Sequence, residues 1–398
     1  MAFMTVNGYD VEHASSLLVY QDLYPQIQHI NGMGVIDKYT KTQDVESITL
    51  IDVLRVLPYA PRFRQQGATN NGGWHNKKNE GGFNNAPQSV HFTIPVDLWY
   101  DEGVQISEMQ IYSNPIALKE VVMKDLIESM GLSINIVTFA KQIIAFFKDN
   151  FADINNPTQA ELNKCVYAYD PTLAANVAGS APDAFIKANM NLTTAGCPKI
   201  GALRVPLKER QAFVSGDFDS LMLRQYEQNA SDAAAKILAN GFINPFNGTA
   251  ITKIDDATGL CGMYAGVGCF LMNDTTKAYT YLAMGVNPSL EENAATIALL
   301  DKIGAMIVYG AGTCRGIVGP TIDANKNFMY GGVYILPKLK MGVQVLSGTS
   351  IKMVVNGGFT TANITTIANA LTFTPIDGEV VTGNDILGTG VFNTGLTN

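Results

Sequence analysis

Four histidines (His13, His29, His75 and His91) and five cysteines (Cys165, Cys197, Cys261, Cys269 and Cys314) are the residues best suited to metal or nucleophilic chemistry. Their spacing does not organise them. No H-E-x-x-H turn brings two imidazoles onto one helix face, and no C-x-x-C pair pre-forms a thiolate site. Cys314 stands beside Arg315, a neighbour that can lower a thiol pKa, but no histidine motif accompanies it as a base. A G-x-S-x-G elbow is absent as well. No catalytic, cofactor-binding or metal residues are expected, and the cysteines read as reduced, structural thiols.

Two glycine clusters invite a phosphate-binding reading. In VYGAGTCRG (Val308 to Gly316) the third glycine falls one residue too late for G-x-G-x-x-G, and Pro320 breaks the helix that should receive a pyrophosphate. GMYAGVGCF (Gly262 to Phe270) is expected to lack a following helix, so both read as turns or close backbone approaches. The remaining chemical signal is RFRQQGATNNGGWHNKKNEGGFNN, residues 62–85. Arg62, Arg64, Lys77 and Lys78 interleave there with Phe63, Trp74, His75 and Phe83. Such a mixture suits stacking and phosphate contacts, but in an acidic chain it reads first as an arm that pairs its charges and aromatics with another subunit.

Composition limits these readings. The chain has 398 residues, 47% hydrophobic and 16% charged, with a mean hydropathy of +0.09. That supplies ample core for two or three domains. A net charge of −8 and a pI near 5.1 argue against wholesale attraction to nucleic acid or anionic lipid. The N-terminal MAFMTVNGYDVEHASS has no basic start followed by an apolar stretch, and no uninterrupted apolar run is long enough to span a bilayer. Synthesis in a cytoplasm without export is expected.

The elements that must carry the polar stretch can be read from periodicity. Residues 1–45 are turn-rich and read as an extended arm. ITLIDVLRVLPYAP (Ile48 to Pro61) is apolar and ends in prolines. SVHFTIPVDLWY alternates strictly, with Val90, Phe92, Ile94, Val96, Leu98 and Tyr100 on one face, and Pro95 favours an edge or a two-stranded ribbon. Residues 62–85 would then be the tip of a long hairpin. A ribbon reaching ~50 Å from the body at ~3.3 Å per residue needs a surface to lie on, and a neighbouring copy offers a better one than its own domain.

Residues 113–150 predict one long helix, with Asn114 capping and Pro115 in the first turn. Val122, Leu126, Met130, Ile134, Val137, Ala140, Ile144 and Phe147 recur at steps of three or four as its core face. Gly131 and Ser133 are its weak point. Further on, Asn156, Pro157 and Gln159 predict a capping box, Ser231 to Gly241 a short helix, and Ser289 to Gly304 another. VYILPKLKMGVQVLSGTSIKMVVNGG predicts a hairpin turning at Ser347 to Ser350. No internal repeat is present.

The order of these elements resembles the major capsid protein of tailed bacteriophages, the Hong Kong 97-type fold. VPLKERQAFVSGDF (Val205 to Phe218) is similar to a segment of that family in which an arginine precedes a short strand. ANGFINPFNGTAITKIDD (Ala239 to Asp256) is similar to its helix, glycine and turn into a strand. The resemblance implies an α+β chain with an N-terminal arm at 1–47, an extended loop and flanking strands at 48–112, and a peripheral domain with the spine helix at 113–160. A mainly axial domain at 161–332, then late peripheral strands and a tail at 333–398, complete it. It also implies a shell subunit that packs with itself in pentamers and hexamers, with portal, scaffold and cement proteins as partners. The shell would enclose DNA without sequence-specific binding and without a membrane, as a virion capsid assembled in the host bacterial cytoplasm. Arg62, Phe63, Arg64, Trp74, Lys77, Lys78 and Phe83 are then the expected inter-subunit contacts. There is little room before the loop for a cleaved scaffolding segment, so a separate scaffold or none is expected, and no crosslink is expected at Lys77 or Lys78. An encapsulin-like nanocompartment shell shares this fold and stays as an alternative, as does a nucleic-acid-binding role for residues 62–85.

Overall fold

The computed structural model describes residues 50–56, 89–100, 104–107, 115–174, 177–195, 210–228, 242–243, 250–251, 260–272, 274–326 and 332–376. The N-terminal arm, residues 62–85, the cap at Asn114, the expected helix at 231–241 and the tail after 376 lie outside them. The architecture is α+β, as expected. Strands β1 (Leu50–Val56) and β2 (Ser89–Pro95) pair antiparallel from Leu50↔Pro95 to Val56↔Ser89. This is the two-stranded ribbon that Pro95 anticipates. At its root the alternation holds, with Ile94 and Val96 buried while Thr93, Pro95 and Asp97 are exposed. Strands β3 (Leu98–Tyr100) and β4 (Val104–Ser107) follow.

Helix α1 (Pro115–Asp149) is unbroken over 35 residues, about 50 Å at 1.5 Å per residue. Gly131 and Ser133 do not interrupt it: burial of Met130 and Ile134 on either side outweighs their weak propensity, and the Ser133 hydroxyl finds its partner within the helix at the Ser129 carbonyl, 2.8 Å away. Met130, Ile134, Ala140, Ile144 and Phe147 of the expected core face are buried. Val137 is only partly so, and the side chains of Val122 and Leu126 lie outside the description. Burial is also wider than one stripe. Ile136, Phe139, Ile143 and Phe146 are buried, and so are Asn135, Thr138 and Gln142. A helix covered on more than one side hides most of its circumference. By length and mean hydropathy (1.5), Ser129–Asp149 could cross a membrane, which uninterrupted apolar runs had not suggested, but 72% of it is buried inside the protein.

In chain order there follow α2 (Gln159–Cys165), β5 (Val166–Tyr169), α3 (Ala181–Ala195), β6 (Arg210–Ser215), α4 (Gly216–Gln228), β7 (Phe242–Ile243), β8 (Ala250–Ile251), β9 (Leu260–Tyr264), β10 (Val267–Met272) and α5 (Asp274–Ala283). The remainder holds α6 (Ala294–Leu300), β11 (Ile303–Tyr309), β12 (Thr313–Lys326), β13 (Gly332–Val345), β14 (Ile351–Asn356) and α7 (Thr361–Ala370). A six-stranded mixed sheet has the order β5-β14-β11-β6-β10-β9. Its central strands are buried on both faces, and alternation decides which core each residue enters. Ala212, Val214, Ala305, Ile307 and Val354 face Phe185 and Leu192 of α3 and Phe218 and Met222 of α4. Phe213, Met306, Val308, Met353 and Val355 face α1, together with α5, α6 and α7. Phe139 meets Phe213 edge-on with ring centroids 4.4 Å apart.

A second sheet has the order β12-β13-β3, with β4 also on β13. β3 pairs at Leu339–Met341 and β4 at Gly332–Ile335, so Pro337 falls opposite the gap between them. Pro320 sits at the irregularity between Val318 and Thr321 of β12, where no regular ladder bond is lost. The ribbon root lies against this sheet. A Cβ on Gly342 would meet the Pro95 carbonyl oxygen at 2.1 Å, so only glycine permits the approach.

Four expectations are corrected. β13 and β14 do not form a hairpin: Ile351 to Val355 are all buried, which requires an interior place, and β14 takes one between β11 and β5. The capping box belongs to Thr158 and Glu161, because T-x-x-E supplies both halves. The Glu161 N–H donates to the Thr158 hydroxyl at 3.3 Å and the Thr158 N–H to the Glu161 carboxylate at 3.0 Å. The helix expected from Ser289 shortens to a 3-10 turn at Glu291–Asn293 and α6, since β11 claims Ile303 and Gly304. GMYAGVGCF is the β9–β10 hairpin, turning at Ala265 and Gly266 with positive φ. A helix does follow it, α5, but only after β10 rather than directly from the glycines.

Two stability measurements test this core. Phe139→Ala is expected to cost about 3–5 kcal/mol in denaturant unfolding, and Val137→Ala about 1 kcal/mol; equal costs would misplace the buried face. Burial pushes the Cys165 thiol from 9.0 up to about 12, only partly offset by Lys352. It likewise pushes the Tyr167 and Tyr169 phenols from 10.0 up to about 12. Groups with raised folded pKa values contribute stability that is complete below the unfolded value and lost as pH climbs through the folded one. Unfolding free energy should therefore fall between pH 9 and 12, and fall less steeply in Cys165→Ala. A parental slope in that variant would contradict the assignment.

Candidate functional site

Arg62, Phe63, Arg64, Trp74, Lys77, Lys78 and Phe83, the expected inter-subunit residues, lie outside the described residues. What the structure does place is the root from which that stretch leaves and returns, and the frame beneath it. Three sets of described polar groups lie at joints of this frame.

The main joint is the C-terminal end of α1. The Asp149 carboxylate accepts the Gly348 N–H at 2.6 Å, and the Asn150 side-chain amide donates to the Gly348 carbonyl at 2.9 Å and to the Phe146 carbonyl at 3.0 Å. Both hydrogen-bonding groups of one residue are therefore gripped from the helix. The Ala145 carbonyl oxygen would lie 2.1 Å from a Cβ on Gly348. Two turns earlier, the Gln142 side-chain amide donates to the Thr313 hydroxyl at 3.1 Å, with both residues buried. Lys141 stacks over the Phe373 ring, 4.7 Å from its centroid. Burial holds its ammonium below the ordinary lysine value, while Asp97 at the ribbon root pulls the other way.

A second joint centres on Arg210, the first residue of the short strand β6. It is buried, donating to the Asn189 carbonyl at 2.6 Å, to the Asn189 side chain, and to the Thr193 hydroxyl at 2.8 Å. Asn189 in turn donates to the Ala265 carbonyl at 3.2 Å. Strand β6, helix α3 and the β9–β10 turn are thus tied by one guanidinium. A third joint joins α5 to the start of β11. The Asp301 carboxylate accepts from the Tyr281 hydroxyl at 2.9 Å and pairs with Lys277 at 3.2 Å. Burial, and then Asp301, push the Tyr281 phenol upward.

Arranged this way, these groups hold elements together. Among the described residues no three His, Cys, Asp or Glu side chains are grouped to bind a metal. A cavity of about 250 Å³ beside the edge strand β5 is lined by Asn163, Tyr167, Asp183 and Lys187. Its two charged groups, Asp183 and Lys187, pair with each other at 2.7 Å. Partial burial raises the Asp183 pKa, but the Gly179 N–H and Lys187 outweigh it and hold the carboxyl below its usual value. The glycines at 310 and 312 form a 3-10 turn that leads into strand β12 rather than into a helix. Sequence reading missed the polar contacts of Asp149, Asn150, Gln142 and Arg210. The signal for the last was present, since an arginine opens a strand whose centre, Ala212 to Val214, is apolar.

No protein-family model and no curated protein sequence matches the chain. Solved structures with a similar path include capsids of several phages. The capsid of Ralstonia phage GP4 is 11% identical with a TM-score of 0.48, over 81% of this chain and 87% of that one. The bacteriophage PhiM1 mature capsid is 11% identical with a TM-score of 0.45, over 82% and 87%. The capsid of an empty GTA particle is 10% identical with a TM-score of 0.41, over 81% and 90%.

Proposed function

We propose that this chain is the major capsid subunit of a tailed bacteriophage, with the Hong Kong 97-type layout, self-assembling into an icosahedral shell around double-stranded DNA. The observation that carries the reading is the β1–β2 ribbon. Its strands, rooted through Ile94 and Val96 on the four-stranded sheet, bracket residues 57–88, so that polar stretch leaves and rejoins the fold at one place. A long polar segment so anchored is suited to reach a neighbour. Trp74 and Phe83 serve as its anchors, and Arg62, Arg64, Lys77 and Lys78 as its ion-pair donors, with Phe63 beside them. The unbroken helix α1 supplies the strut of the peripheral domain.

The layout runs as an arm at 1–47, the loop and its strands at 48–112, a peripheral domain at 113–160, a mainly axial domain at 161–332 and late peripheral strands and tail at 333–398. The subunit is a structural protein rather than an enzyme, which suits ionisable groups spent on joints. It packs in pentamers and hexamers within the virion capsid, assembles in the host cytoplasm, and meets portal, scaffold and cement proteins. Negative charge, where it lines the interior of the shell, would repel packaged phosphates and keep them mobile.

Purified protein is expected to sediment as closed shells tens of nanometres across or as capsomer-sized rings, with matching particles in negative stain. Deleting residues 66–84 should leave a folded subunit that forms neither. Normal shells from the deletion would remove the loop from assembly. A strictly monomeric parent at high concentration would overturn the shell reading and return residues 62–85 to a nucleic-acid role.

A further inference from the structure

We infer that the turns Gly310–Gly312 and Gly348–Ser350 form one joint between the two sheets, and that the end of α1 splints it. β11 and β14 pair antiparallel from Ile303↔Val355 to Val308↔Ile351 in the six-stranded sheet. The same two chain paths continue as β12 and β13, paired from Thr313↔Val345 to Lys326↔Val333 in the four-stranded sheet. A single antiparallel ribbon therefore passes from one sheet into the other, and both of its strands leave the ladder at the same level. On each strand a three-residue 3-10 turn fills the gap. Across the gap, the Leu346 N–H donates to the Gly312 carbonyl at 2.8 Å.

A ladder resists bending because each residue fixes its neighbour's dihedrals through paired backbone bonds. Where both strands lose that pairing together, the ribbon can bend without breaking either sheet. Paired breaks of this kind are joints, whereas a break in one strand alone is a bulge. The turns are not exposed loops. Thr313, Ser347 and Ser350 are buried, and the Ser350 hydroxyl donates to the Ser347 carbonyl at 2.7 Å. Their geometry is set instead from α1. Gln142 holds the first strand at Thr313, and Asp149 with Asn150 holds the second at Gly348. Gln142 and Asp149 are seven residues apart, about two turns, and so share one helix side. The Gln142 side-chain oxygen is buried without a hydrogen-bond partner among the described residues, which makes the first clamp the weaker. Asp149 and Asn150 are thus positioning residues that set the angle between the sheets.

Hydrogen exchange of the unassembled full chain, read by mass spectrometry, tests this apart from any shell-forming ability. In Asp149→Ala, exchange should rise at least about tenfold at Leu346 to Ser350, the factor one charge-assisted hydrogen bond carries. It should rise also at Gly310 to Thr313, which Asp149 does not touch, while Met306–Val308 and Met341–Val343 keep parental protection. Asp149→Asn retains an acceptor oxygen without the charge and should exchange between the parent and Asp149→Ala. Asn150→Ala should reproduce the opening in milder form. Acceleration spread evenly over both sheets, or confined to Gly348 alone, would overturn the joint.

Discussion

The architecture depends on hiding one long apolar helix. From Met130 to Phe147 the side chains of α1 are buried on more sides than a surface helix would allow, so no single sheet could cover them. The six-stranded sheet takes Phe139, Ile143 and Phe147, and the four-stranded sheet lies against α1 through β13. With roughly 1.5–3 kcal/mol for each large apolar side chain removed from water, this one element accounts for a large part of the core. Both sheets are then obliged to meet along it. That obligation explains why a single ribbon can belong to two sheets without coming apart.

Apolar packing alone would leave the register of such a helix loose, since one turn of sliding replaces one aliphatic contact with another. The buried polar groups remove that freedom. Gln142 reaches one hydroxyl, and Asp149 and Asn150 reach the two ends of one peptide pair at Gly348. Each such bond contributes only about 0.5–3 kcal/mol net, but an unmade one costs the desolvation of a buried group. Slippage by a residue would leave several unmade together. Gly342 and Gly348 add a steric version of the same rule, because the Pro95 and Ala145 carbonyls occupy the space a Cβ would need.

What the sequence disclosed follows from whether a signal was local. The span of α1, the ribbon with Pro95 at its edge and the turn nature of both glycine clusters all came from periodicity and backbone chemistry within a dozen residues. The false hairpin at Ser347 came from the same method. A polar turn between two apolar runs looks alike whether the chain doubles back or crosses to another sheet, and the difference lies in β11 and β5, far away in sequence. The misplaced capping box has another cause: Asn156 with Gln159 fits the pattern, but Thr158 with Glu161 fits it better by contributing a carboxylate. Partners of Asp149 and Arg210 were invisible for the reason that hid the crossover. Residues 62–85 were legible only as composition.

The placement of charge separates a frame from a reaction centre. A catalytic group must be poised, with a pKa near its working pH and a partner that the substrate completes. Here Asp149, Arg210, Tyr281 and Asp301 have protein partners already, each with a bond of 2.6 to 2.9 Å. The shifted thiol and phenols move away from neutrality, toward about 12, because apolar burial holds them protonated. Both features make a group inert at ordinary pH. Among the described residues, charge is therefore spent on fixing how helices and strands meet, one buried or half-buried partner at a time.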